Sequence, residues 1–202
     1  KETAHQLGTP LSALMAWRDL FEAEGISSEL ITEFNKDIDR LSTITERFSK
    51  IGSETALMEV AATDLVADTL NYLSKRISSQ VEIHIKNESK SSVQVNGALF
   101  SWVIENLIKN SVDAMEAKGK INVRVHDHKQ YVFIDIQDSG KGIPKRNWKN
   151  IFEPGYTTKE RGWGLGLSLA KRIVNTYHNG KISVIHSEIG KGTTFRIGLR
   201  KI

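Results

Sequence analysis

Between residues 5 and 51 apolar side chains recur at helical spacing, and beyond residue 55 the period changes. Leu7, Leu11, Leu14 and Met15 fall on one helical face, which Trp17, Leu20 and Phe21 widen. Glu24-Gly-Ile-Ser-Ser28 breaks that series with a glycine stop and serine caps. Leu30, Phe34, Ile38, Leu41, Ile44, Phe48 and Ile51 then come back close to every seven residues, which predicts an antiparallel helical hairpin. A two-helix hairpin cannot bury both of its faces alone. Dimerisation into a four-helix bundle covers them, and packing on the rest of the chain is the competing solution.

Gly52-Ser-Glu-Thr55 reads as a joint, dividing the chain into domains 1–54 and 55–202. The second domain alternates strand and helix periods. Helices are predicted over about 63–77, from Gly97 to about Ala117, and over about Leu165–Tyr177. Strands are predicted at 81–85, 92–95, 121–125, 131–136, 181–186 and 193–199, with turns at Asp127-His-Lys-Gln130 and Asn179-Gly180. This order implies an α/β sandwich, a mixed sheet covered on one face by helices. The stretch from Asp138 to Arg161 lacks a period, and an irregular segment of that length in a compact domain is commonly a functional lid.

Composition narrows the picture only modestly. Of 202 residues, 39% are hydrophobic and 26% charged, as in ordinary globular proteins. The net charge of +4 arises from 28 basic and 24 acidic residues spread widely, without the basic, aromatic-laced stripe of a nucleic-acid binder. The absence of cysteine excludes disulfides and thiolate metal sites. No apolar run reaches bilayer-spanning length and no signal peptide is visible, so membrane contact by these residues is not expected. The chain starts at Lys1 rather than Met, from which a fragment, truncated ahead of its first helix, is expected.

The chemistry is concentrated in three blocks. Asp138-Ser-Gly-Lys-Gly-Ile143 puts a carboxylate at a strand end, able to accept from an exocyclic amine such as adenine N6. Gly140 and Gly142 permit close backbone approach to a flat ring. Asn106 and Asn110 share one helical face, which Asp113 continues. Asparagine is disfavoured inside helices, and hard amide oxygens suit Mg²⁺; a solvated polar face is the alternative. Gly162, Gly164 and Gly166 precede a helix around Leu165, with Lys159 and Arg161 ahead of them as partners for phosphate oxygens. Phe152, Tyr156 and Trp163 either close this pocket or anchor the lid.

Together these blocks resemble the ATP-binding domain of sensor histidine kinases, which shares the Bergerat fold with gyrase, heat-shock-90 and mismatch-repair ATPases. Asn106-Leu-Ile-Lys-Asn110 looks like the N box, Asp138-Ser-Gly-Lys-Gly142 the G1 box and Ile151-Phe-Glu-Pro154 the F box. Gly162-Trp-Gly-Leu-Gly166 looks like the G2 box, and Gly190-Lys-Gly-Thr-Thr-Phe195 the last glycine block. The resemblance implies an ATP and Mg²⁺ site with Asn110 as metal ligand, Asp138 as adenine reader and Thr193 as its support through water. Related ATPases carry a water-activating Glu four residues before the metal-binding Asn. Asn106 stands there and has no basicity; Glu105 beside it would point off that face.

His5-Gln-Leu-Gly-Thr9-Pro10-Leu11 resembles the family's H box. The resemblance implies that His5 is the phosphoacceptor and that Thr9, one turn on, orients a water for dephosphorylation of a response regulator. Gln6 departs from the usual Glu or Asp: it can orient the imidazole but cannot neutralise it, so slow autophosphorylation or a phosphatase bias is expected. The implied protein is a dimeric, cytoplasmic kinase core, with its intact form anchored in the inner membrane and a response-regulator receiver domain as partner. A hydrolysing Bergerat ATPase and a non-transferring ATP-binding scaffold remain the alternatives.

Overall fold

The computed structural model describes residues 14–21, 23–25, 27, 31–32, 34–35, 38, 56–159 and 164–202. The chain separates into two compact units, Lys1–Thr55 and Ala56–Ile202. In the first, residues 14–21 are helical and Gly25 turns the chain at φ 70°. The Trp17 and Phe21 rings lie 6.0 Å apart. Phe21 in turn lies 5.8 Å from Phe34, so side chains on either side of the turn meet. Ile38 is buried, whereas Trp17 and Leu20 remain about half exposed, at 53% and 48%. His5, Gln6 and Thr9, with Leu30, Leu41, Ile44, Phe48 and Ile51 of the repeat, lie outside the described residues.

The second unit is an α/β sandwich. Strand β1 (Met58–Ala61) leads into helix α1 (Ala62–Ser74), strands β2 (Val81–Glu88) and β3 (Ser92–Val95), and helix α2 (Gly97–Ala114). Strands β4 (Gly119–His128) and β5 (Tyr131–Asp138) follow; after two short 3-10 turns come helix α3 (Gly166–Arg172) and strands β6 (Lys181–Glu188) and β7 (Gly192–Arg200). The five-stranded sheet runs β2-β4-β5-β7-β6, parallel only between β2 and β4. β1 and β3 form a separate antiparallel pair.

Alternation decides which face is covered. Ile121, Val123 and Val125 of β4, Val132, Ile134 and Ile136 of β5, and Phe195, Ile197 and Leu199 of β7 are all buried. Pairing of Val125 with Ile134 and of Ile134 with Ile197 aligns them into one apolar layer. Onto it α2 lays Phe100, Val103, Ile104, Leu107 and Ile108, the i, i+3, i+4 stripe of a core helix. Asn96 caps that helix, its side chain accepting from the Leu99 N–H at 3.0 Å.

Several boundaries differ from expectation. β2 continues three residues past Ile85, because β4 pairs with it through Glu88. α2 stops at Ala114 rather than near Ala117, since Glu116 and Ala117 take positive φ of 53° and 61°. The last helix is α-helical only to Arg172 and widens into a π turn at Ile173–Tyr177. There His178 Nδ1 bonds the Ile173 carbonyl and the Gly180 N–H donates to Val174. Strand β1 was not expected at all.

Candidate functional site

The inward phase of β5 that buries Val132, Ile134 and Ile136 also turns its last residue, Asp138, toward the helical layer, where it is 3% exposed. Its Oδ1 accepts the N–H groups of Gly140 at 2.9 Å and Thr193 at 3.1 Å. Among the described residues its Oδ2 has one partner, the Ser111 hydroxyl of α2, at a long 3.4 Å. Burial pushes the Asp138 carboxyl above the ordinary carboxylate range, and the two backbone N–H groups and Ser111 only partly offset it.

The turn after Asp138 needs its glycines for space. A Cβ on Gly140 would stand 2.6 Å from the Ala114 carbonyl, which terminates α2 and accepts the Lys141 N–H. Gly142, at φ 72°, backs onto the carbonyl of Glu188. The β6–β7 hairpin braces the same turn: Ile143 N–H donates to Ser187 Oγ at 2.7 Å, and Ser187 Oγ lies 2.9 Å from Thr193 Oγ1. Trp148 Nε1–H donates to the Ile143 carbonyl, tying the start of the irregular segment down.

One turn along α2 the character changes. Asn106 lies against Gly166 at the start of α3, its Cγ 3.2 Å from where a Cβ would stand. Glu105 is held away by Lys109 on the exposed side of the helix. Among the described residues the Nδ2 groups of both Asn106 and Asn110 are buried without a hydrogen-bond partner, an unusual expense inside a helix face. The Oδ1 of Asn110 does have a partner, the Lys159 ammonium at 3.1 Å, which also reaches Asp113 Oδ2 at 2.5 Å. The Asn110 carboxamide oxygen, already facing a cation with a carboxylate beside it, fits a hard, hydrated divalent ion, and the Nδ2 donors suit phosphate oxygens. Among the described residues no group of three His, Cys, Asp or Glu could hold such an ion alone.

The sequence-predicted residues therefore fall into connected sets. Asp138, Gly140 and Thr193 meet directly; Asn106 meets Gly166; Asn110, Asp113 and Lys159 form one cluster. Gly164, at φ 64°, backs onto Gly155 and Tyr156, and its carbonyl accepts the Gly155 N–H. Leu165 caps α3 at its N-terminal end and is half-buried. Arg161 and Gly162 lie outside the described residues. Sequence reasoning missed Ser111 and Ser187. Ser111 was detectable as the one polar residue in the buried stripe of α2, whereas nothing local marks Ser187.

The family described as histidine kinase-, DNA gyrase B-, and HSP90-like ATPase matches residues 95–201, more than half the chain, and the chain belongs to it. Sensor histidine kinase ZraS of Salmonella typhimurium is 32% identical over 206 residues, covering 97% of this chain and 44% of that protein. The chain thus spans less than half the length of this curated relative. The catalytic domain of histidine kinase ThkA is 26% identical with a TM-score of 0.65, covering 72% of this chain and 95% of that one. ThkA in complex with response regulator protein TrrA shares the fold over 100% of this chain and 60% of that one, with TM-score 0.70 and 22% identity. No helix among the described residues is long and apolar enough to cross a membrane.

Proposed function

We propose that this chain is the kinase core of a two-component sensor histidine kinase, which transfers the γ-phosphoryl group of ATP to His5 and then to a response-regulator aspartate. The carrying observation is the buried Asp138 carboxylate: Oδ1 is saturated by two backbone N–H groups while Oδ2 has, among the described residues, only a long hydroxyl contact. That acceptor suits an exocyclic amine, and it reads adenine. Asn110 is the metal ligand. Held there, Mg²⁺ would supply positive charge against the phosphate oxygens.

The remaining work falls to the chain's own groups. Thr193 and Gly140 hold the Asp138 carboxylate through their N–H groups. Asn106 offers an amide where a hydrolase needs a base, and Glu105 is engaged by Lys109, so water is not activated and the nucleotide is kept for another acceptor. Lys159, Arg161 and the Gly162–Gly166 segment engage the phosphates, with Ile143, Tyr156 and Leu165 around the nucleotide. His5 is the nucleophile, Gln6 orients its ring without neutralising it, and Thr9 serves dephosphorylation of the regulator.

Residues 1–54 form the dimerisation and phosphoacceptor hairpin, and 55–202 the ATP-binding domain. Support for a homodimer comes from Trp17 and Leu20, apolar side chains left half exposed on their helix. Support for a receiver-domain partner comes from the sensor kinase relatives and from ThkA, seen with its response regulator. The kinase works on the cytoplasmic side of the inner membrane.

Incubation with γ-labelled ATP and Mg²⁺, using a chain extended ahead of Lys1, tests this reading. An acid-labile, alkali-stable label is expected on the wild type, absent from His5→Ala and reduced at least about tenfold in Asn110→Ala. Release of ADP with no phosphoprotein would replace it with a hydrolase.

A further inference from the structure

We propose that Asn110 and Asp113 form a single cation seat for which the Lys159 ammonium and a divalent metal ion are competing occupants. The inference rests on the reading of Asn110 as metal ligand and adds two groups to it: Asp113 as the anionic half of the seat, and Lys159 as its built-in competitor. The spacing of i and i+3 on α2 sets the Asn110 and Asp113 oxygens side by side. One ammonium bridges them, with Nζ 3.1 Å from Asn110 Oδ1 and 2.5 Å from Asp113 Oδ2. An ammonium and a hard metal ion seek the same oxygens, and two cations cannot share them at that separation.

Lysine's long stem and point charge suit it as a stand-in, since it needs no fixed fork of donors. Its backbone is steadied from its own segment, where the Lys159 N–H donates to Thr157 Oγ1 at 3.1 Å. The Asn110 Nδ2, buried and without a partner among the described residues, leaves the amide oriented by what its oxygen holds. The pair is also wet: the Lys159 and Asp113 side chains are 42% and 53% exposed. A contact this exposed is weak enough to exchange. Once displaced, the ammonium is free to take an anion, and the triphosphate of an incoming nucleotide is one. Lys159 thus couples occupation of the seat to capture of phosphate.

Binding of Mn²⁺ alone, followed by electron paramagnetic resonance of the free ion, tests the competition without any catalytic readout. Lys159→Met is expected to tighten Mn²⁺ binding by about two- to fivefold, the scale of an exposed ion pair. Adding Asp113→Asn should reverse that gain, and adding Asn110→Ala should abolish binding. Lys109→Met removes the same charge from the neighbouring turn and should give no comparable gain. Equal gains for Lys109→Met and Lys159→Met, or none for Lys159→Met, would overturn the seat while Asn110-dependent binding of Mg²⁺·ATP kept the kinase reading intact. Mg²⁺·ATP binding indifferent to Asn110→Ala would overturn both.

Discussion

The Asp138 carboxylate is 3% exposed and takes its two short hydrogen bonds from backbone N–H groups, whereas Asp113 is half exposed and takes its bond from a lysine side chain. Both lie beside the C-terminal part of α2, Asp138 against Ser111 and Asp113 on the helix itself, yet they embody different solutions to holding a charge. The first is fixed by main chain that cannot move without dismantling the turn at Gly140 and Gly142 and the β6–β7 hairpin. The second is set by side chains in water that exchange partners cheaply. Under the proposed function, a site divided in this way would recognise a base at its dry end by shape and one hydrogen-bond acceptor. At its wet end it would respond to ions.

The largest effect should come from Asp138→Asn. Its folded carboxyl is raised above the ordinary value of 3.8, mainly by burial. The sign follows from linkage: the stabilising contribution belongs to the protonated form, complete below the unfolded value and lost as pH rises through the folded one. At neutral pH the ionised group therefore costs stability, and a neutral isostere relieves it. The variant keeps an Oδ1 acceptor for Gly140 and Thr193 but loses the anionic Oδ2. ATP affinity is expected to drop about ten- to a hundredfold, the worth of a hydrogen bond to a charged group. Calorimetric melting should show a midpoint equal to or above that of the wild type. A variant that loses affinity and melts lower would show Asp138 to be structural, erasing the contrast with Asp113.

Ser111→Ala probes the dry end more gently. Its hydroxyl donates to Oδ2 at 3.4 Å and holds the carboxyl down against burial. Without it the Asp138 carboxyl rises further, so the acid limb of the ATP-affinity profile should begin at higher pH. Above that limb affinity should change by less than about threefold, as for a long, neutral contact. Titration of wild type and variant side by side cancels the nucleotide's own protonation. Coincident profiles would mean that Ser111 does not act on this carboxylate.

The two ends were not equally legible in the sequence. Asp138 was readable because the alternation of Val132, Ile134 and Ile136 carries through to it and two glycines follow. Asn106 and Asn110 were readable as asparagines at helical spacing beside apolar Leu107 and Ile108. Their contacts were not: that Gly166 exists to admit Asn106, or that Gly142 backs onto Glu188, depends on chain segments many tens of residues apart meeting in the fold. Lys159 was placed with phosphates by its position before the glycine block; its bond to Asp113 required coordinates. Strand β1 escaped because its four residues are strand only through pairing with β3. The π turn escaped because its cause lies in the His178 and Gly180 bonds rather than in any local pattern.

The smallest effect sharpens the comparison from a third place, where a buried ionisable group serves the scaffold alone. His178 is 5% exposed and sits edge-on to Phe100. Its Nε2 accepts the Asn96 N–H at 3.0 Å and its Nδ1 bonds the Ile173 carbonyl at 2.9 Å, which fixes the neutral tautomer with the proton on Nδ1. Burial pushes this imidazole below its ordinary value of 6.5, against the Ile173 carbonyl bond that favours the charged ring. A proton on Nε2 would confront the Asn96 N–H with a second donor. The sign is opposite to that of Asp138: the contribution is complete above the unfolded value and lost as pH falls from there toward the depressed folded one. One proton gives a slope of at most about 1.4 kcal/mol per pH unit, and each kcal/mol moves the melting midpoint of a domain this size by about 2–4 °C. Melting the wild type and His178→Gln between pH 7 and pH 5 should reveal a steeper acid decline in the wild type, with ATP affinity at pH 7.5 unaltered for the folded variant. Parallel declines would assign the acid sensitivity to other groups, and a loss of ATP affinity would extend the dry end of the site to the cap of α2.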